Sequence, residues 1–203
     1  MLKIYGNKKS GPCNKVQYIA KLVGIEYEFK EMDFQKDLKT EEYLKIHPAG
    51  KIPAIDDDGF ILFESGAICE YLCEKKENSL LPKDLKKRAL VKQWMDFSNL
   101  HIGTAVGKVF FNRVVAKRMK MSVNEQSLKE GLTFLDRFLP IIDNQLSKNK
   151  YLALDEISLA DITLLSNLGY AEMADIDLTK YKAISKWMKN LKDMDFYKKV
   201  HEK

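Results

Sequence analysis

The stretch Ser10-Gly11-Pro12-Cys13 has the spacing of a redox Cys-x-x-Cys pair, but serine stands in the first slot. No disulfide can close there, so the loop is fitted to other chemistry. Ser10 lies just ahead of a helical pattern whose first turn holds Pro12 and Cys13, where free backbone N–H groups and the positive end of the helix dipole stabilise an anion such as a thiolate. Two further motifs could share that task. In Gly50-Lys51-Ile52-Pro53-Ala54 a proline opens a strand and is a candidate for a cis bond, which would leave Ile52 presenting its N–H and C=O as an edge on which an extended peptide docks. In Phe63-Glu64-Ser65-Gly66 an acid and a hydroxyl fall at a strand-to-helix turn. A ligand carboxylate can there take the helix N-terminus and Ser65 while Glu64 accepts an ammonium. Taken singly, each motif also serves as an ordinary turn, strand start or helix cap. Together they describe a site for a small zwitterionic peptide that carries a thiol.

The elements that must position these residues are legible as a pattern. Apolar or alternating runs at 2–5, 27–32, 53–55 and 60–63 read as strands, and helical periodicity appears at 12–23, 41–46 and 65–75. The order is βαβ, α, ββα, with Asp56-Asp57-Asp58-Gly59 as the turn of a hairpin. Beyond the linker-like Glu77-Asn78-Ser79-Leu80-Leu81-Pro82, strand signals stop. Long amphipathic helices are expected over 85–119, 124–147, 158–174 and 181–192. This is an α/β half followed by an all-α half. The start of the third of these helices is strongly marked: Ser158 can cap it, Asp161 can reach back to the cap, and Ile157 and Ile162 can form a staple, all of which serve stability.

Composition narrows the partners. The 203 residues are 45% hydrophobic and 31% charged, enough for a sizeable core, and apolar runs of about four residues fall far short of the roughly 20 that span a bilayer. No membrane association is expected, and a start without an apolar leader suggests the cytoplasm. The net charge of +5 is spread among acids with no basic stripe interleaved with aromatics, so nucleic acid is not an expected partner, while a small anionic ligand is favoured. The three cysteines, Cys13, Cys69 and Cys73, match no disulfide framework. Cys69 and Cys73 lie four apart on a helix without a histidine cluster, so they read as core and no metal site is expected.

Ser10-Gly11-Pro12-Cys13, His47-Pro48 through Ile52-Pro53, Glu64-Ser65 and the Ser158-to-Asp161 cap, in this order and over this element pattern, resemble the cytosolic glutathione S-transferase family across essentially the whole chain. The resemblance implies a thioredoxin-like glutathione-binding domain over 1–77, with cis-Pro53, and a helical electrophile-binding domain over 85–203. It implies glutathione as co-substrate, with the γ-glutamyl end on Glu64 and Ser65, the cysteinyl backbone on Ile52 and the glycine carboxylate near Lys51. In serine-type members, resembling the theta and delta classes, the first loop residue donates to the glutathione sulfur, and that slot holds Ser10. Tyr5, near where tyrosine-type classes keep their activator, and Cys13 remain alternatives. Beta-type bacterial members have a histidine placed like His101 near the glutathione cleft, and Phe110, with Phe111 and Arg113, could line the electrophile pocket. Two departures, Gly66 where many members have a basic residue and Gly50 where many have histidine, suggest fewer contacts to glutathione. The implied activity is addition of the glutathione thiolate to a hydrophobic electrophile by a homodimer, without metal or redox cofactor. Alternatives are a non-catalytic binding or regulatory protein on the same fold, and a glutathione-dependent thiol reductase, which would need Cys13 exposed.

Overall fold

β1 (Leu2–Gly6) alternates buried Leu2, Ile4 and Gly6 with half-buried Lys3 and Tyr5, the two-residue period of a strand with one face on a core. The computed structural model describes residues 1–202, in two compact units. In the first, α1 (Gly11–Leu22) returns the chain so that β2 (Tyr27–Glu31) pairs with β1 in parallel. After α2 (Glu41–Ile46), β3 (Ala54–Asp57) and β4 (Phe60–Phe63) make an antiparallel hairpin, and α3 (Ser65–Lys75) follows. The strand order is β2-β1-β3-β4, with β1 antiparallel to β3. This is the thioredoxin-like βαβ-α-ββα order expected from the sequence. The hairpin turns on Asp58 and Gly59, whose φ angles of 53° and 94° are the positive pair that a two-residue type I′ turn requires. Ile4, Ile19, Ile55, Ile68 and Leu72 are fully buried and join the sheet to α1 and α3.

The second unit, Pro82–Met194, is helical. One long helix, α4, runs over residues 85–118, and within it Ser98–Gly103 and Phe111–Val115 are π-helical. The first π turn has a side-chain support: Asn167 Nδ2 donates to the Ser98 carbonyl at 2.9 Å and to Asn99 Oδ1 at 3.1 Å. α5 (Glu125–Lys148), α6 (Leu159–Leu168) and α7 (Lys182–Lys192) supply the rest of the core, with Leu139, Ile142, Leu159, Ile162 and Ile184 at or near zero exposure. The pattern reading carried α6 on to 174, whereas the helix stops at Leu168 ahead of Gly169 and gives way to turns. That arrangement lets Arg113 Nη1 donate to the carbonyls of Ala174 and Asp175 at 2.9 and 2.5 Å.

The domain boundaries differ from expectation at the C-terminal end. The helix α8 (Asp195–His201), which the periodicity reading did not include, belongs with the first unit and not with the helical one. Tyr18 of α1 explains this: its ring meets Phe196 edge-on at 5.5 Å and stacks on Tyr197 at 5.4 Å, and its hydroxyl lies 2.6 Å from His201 Nε2. An aromatic cluster of this kind buries enough apolar surface to hold a short helix that is marginal alone.

Candidate functional site

The sheet register brings the three motifs to one end of the first unit. Tyr5 pairs with Ala54, and Ala54 with Phe63. The last turn of β1, the first of β3 and the last of β4 therefore lie side by side, and the loop to Ser10, the Ile52-Pro53 step and the Glu64-Ser65 turn all leave the sheet there.

Ser10 caps α1 with extended backbone (φ −93°, ψ 117°), and its carbonyl accepts Asn14 N–H at 2.9 Å. Its hydroxyl caps no N–H of the helix, and it acts on the Cys13 thiol to lower that group's pKa. The residue is 6% exposed. Cys13 is fully buried, and burial pushes its thiol up to about 11, with hydrogen bonds from Ser10 and the Asn7 backbone offsetting only part of that. Such a thiol has almost no thiolate at neutral pH. All three cysteines are buried, so the native protein is expected to react with an aromatic disulfide reagent only as fast as it unfolds. One fast-reacting thiol in the native protein would make Cys13 a working residue again. Tyr5 is half-buried on β1, its ring centroid 6.1 Å from that of Tyr43.

Ile52-Pro53 is a cis peptide. Among the described residues neither the N–H nor the C=O of Ile52 enters a hydrogen bond. Lys51 is exposed, and its carbonyl accepts the hydroxyl of Tyr43 at 2.7 Å, which ties this loop to α2. Tyr43 is a site-supporting residue that the sequence reading missed. Buried Tyr at one helical turn from the motif was the available signal.

Glu64 is exposed, with φ 69° and ψ 110°, a backbone conformation that a non-glycine residue adopts only when its surroundings hold it there. The first hydrogen bond of α3 is Ile68 N–H to the Glu64 carbonyl at 3.0 Å, so the N–H groups of Ser65, Gly66 and Ala67 have no acceptor within the helix. An anion can take them. Gly50 is left-handed (φ 56°), and a Cβ there would meet the Leu38 carbonyl at 2.6 Å, so no side chain, histidine included, fits this backbone. His47, quoted above only as part of a motif, is buried beside the Glu64 turn, with its ring 4.7 Å from that of Phe63.

The remaining candidates lie in the second unit. His101 is in the first π turn, with its ring 4.9 Å from Phe97 and 4.6 Å from Phe138, inside an aromatic cluster. Phe110 stacks on Tyr170 at 4.4 Å. Among the described residues no group of three or more His, Cys, Asp or Glu side chains is placed to hold a metal ion, and no helix is long and apolar enough to cross a membrane.

Comparison with known proteins bears on the family and the fold. Residues 1–74 match the family model for the glutathione S-transferase N-terminal domain, and residues 106–193 that for the C-terminal domain. A probable glutathione S-transferase, GSTF2, of Oryza sativa subsp. japonica is 31% identical over 196 residues, covering 94% of this chain and 91% of the relative. Glutathione transferase F2 of Populus trichocarpa superposes with a TM-score of 0.91 at 29% identity, over 100% of this chain and 98% of the other. A glutathione S-transferase-I bound with lactoylglutathione gives a TM-score of 0.88 at 27% identity, over 98% and 97% of the two chains. Both family domains occur here in order, on the expected fold and along nearly the full length of a relative: the chain belongs to the glutathione S-transferase family.

Proposed function

We propose that the protein is a serine-type glutathione transferase in which Ser10 hydrogen-bonds the glutathione sulfur, stabilises its thiolate and so readies it to attack a hydrophobic electrophile. The observation that carries this reading is the Tyr5-Ala54-Phe63 register, which gathers Ser10, Ile52 and Glu64-Ser65 at one end of the sheet. Glutathione is zwitterionic at its γ-glutamyl end. Its ammonium meets the Glu64 carboxylate and its carboxylate meets the free N–H groups of α3 and the Ser65 hydroxyl. The cysteinyl backbone pairs with the unbonded N–H and C=O of Ile52, and the glycine carboxylate lies toward Lys51. The sulfur is the nucleophile, so the reaction needs no metal. The Ser10 hydroxyl caps no N–H of α1, which leaves it for the ligand sulfur. The theta- and delta-like assignment rests on that role of Ser10, and His101 and Phe110, both in the helical unit, are proposed as substrate-binding residues.

Calorimetry tests the reading. Wild type should bind glutathione in the micromolar to millimolar range, and Glu64→Ala or Ser65→Ala should weaken it by between about five- and a hundredfold, the scale of one charge-assisted hydrogen bond. Absence of binding at millimolar glutathione would overturn the proposal. A homodimer is part of it. β4 is an edge strand of the sheet, and its Phe60, Ile61 and Phe63 are 50%, 37% and 40% exposed, an open apolar edge of the kind a second copy covers. Sedimentation equilibrium at micromolar protein should return twice the chain mass, and a monomer there would remove this element.

A further inference from the structure

Among the described residues one buried side-chain nitrogen has no hydrogen-bond partner, Nδ1 of His47. The residue ends α2, is 2% exposed and has its ring 4.7 Å from that of Phe63. An unpaired buried polar atom is a standing cost that an apolar ring of similar shape avoids, so its presence asks for a reason. Its position supplies one. Phe63 leads directly into Glu64, whose left-handed backbone has to be held by its surroundings, and the His47 imidazole is the plate behind Phe63.

Two charged groups act on this ring, Glu64 from the β4–α3 turn and Lys51 from the loop after α2. On its own helix, Glu41, Glu42 and Lys45 are exposed to solvent. Burial is the strongest influence and holds the His47 pKa below the ordinary value of 6.5; Glu64 pulls it back up and Lys51 pushes it further down. The ring is therefore neutral at pH 7 and gains a proton as the pH falls below 6.5.

We propose that His47 is a positioning residue for the γ-glutamyl end of the site, backing the Phe63-Glu64 turn while neutral and weakening glutathione binding when protonated. This rests on the glutathione reading above. The proton comes from solvent. Once it is on the ring, the imidazolium competes with the ligand ammonium for Glu64 and repels that ammonium across the turn.

The size of the effect follows from linkage. If bound glutathione excludes the charged ring, affinity falls by the factor by which the free protein protonates. With the His47 pKa held below 6.5, that loss is at most about eightfold between pH 7.0 and 5.5. The experiment is calorimetric titration of glutathione into wild type, His47→Phe and His47→Asn at these two pH values. His47→Phe keeps an aromatic plate without a titrating nitrogen, and His47→Asn is a second non-titrating variant should the first fail to fold. Wild type should bind several-fold more weakly at pH 5.5 than at pH 7.0, by no more than about eightfold, and the variants should show a ratio within about twofold of unity. A wild-type ratio near unity, or variants that keep the wild-type ratio, would overturn the role of His47 and leave the glutathione site standing. Failure of wild type to bind at pH 7.0 would instead remove the glutathione reading itself.

Discussion

Ser10→Ala is expected to leave glutathione affinity nearly unchanged and to slow conjugation at neutral pH by about tenfold to a thousandfold, the range for removing one preorganised donor to a charge. Affinity survives because Glu64, Ser65 and the Ile52 backbone hold the peptide at points away from the sulfur. Rate falls because the bound thiol reverts toward its free pKa near 8.5, so only a few per cent is thiolate at neutral pH. The sign of the pH dependence follows: the deficit of the variant is largest below that value and shrinks as pH rises through it and the thiol ionises unaided. The measurement is the pH profile of conjugation to an aromatic chloride for wild type, Ser10→Ala, Cys13→Ala and Tyr5→Phe. Cys13→Ala should change little, because that thiol is buried and protonated, and its loss removes only packing. If Cys13→Ala abolishes turnover while Ser10→Ala retains it, the loop works by thiol exchange. If only Tyr5→Phe loses activity, the activator is the tyrosine at the end of β1.

Asp161→Ala should cost the helical unit about 3 kcal/mol or more, the largest stability effect expected from any single side chain discussed above. Asp161 has zero exposure, and each of its oxygens takes two donors. Oδ1 accepts Leu152 N–H at 2.8 Å and Trp187 Nε1–H at 3.1 Å, while Oδ2 accepts Ser158 N–H at 3.0 Å and the Ser158 hydroxyl at 2.9 Å. Burial pushes its pKa up and these four donors pull it back. Alanine leaves all four without an acceptor in a site closed to water. Asparagine is little better, because its NH₂ faces two donors wherever it points. Urea unfolding reads the loss as a lower midpoint at unchanged slope, and the fluorescence of Trp187 should shift in the native baseline. A variant with the wild-type midpoint would mean that water replaces the carboxylate.

How much of this was visible in the chain before folding depends on the range of the interaction. The hairpin was legible because Asp58-Gly59 is a local solution to a two-residue turn, and β1 because Leu2-Lys3-Ile4-Tyr5 is an apolar, strand-like start. The cap at Ser158 was legible because its partner is three residues away. The partners of Asp161 at Leu152 and Trp187 were not, since no local pattern reports a contact across 26 residues. Three motifs for one ligand could be named from residue types, but that they meet depended on the pairing of Tyr5 with Ala54 and of Ala54 with Phe63.

Turn chemistry, capping and periodicity act over a few residues, so the order of elements, the division into a mixed and a helical half, and the residue types that suit a zwitterionic thiol peptide were readable in the chain alone. Closure of the whole chain was needed to seal Cys13, to hold Glu64 left-handed against a His47-backed Phe63, and to lay α8 on Tyr18, a contact spanning 183 positions. Burial, strain and unpaired atoms depend on neighbours that come together only when the whole chain has closed.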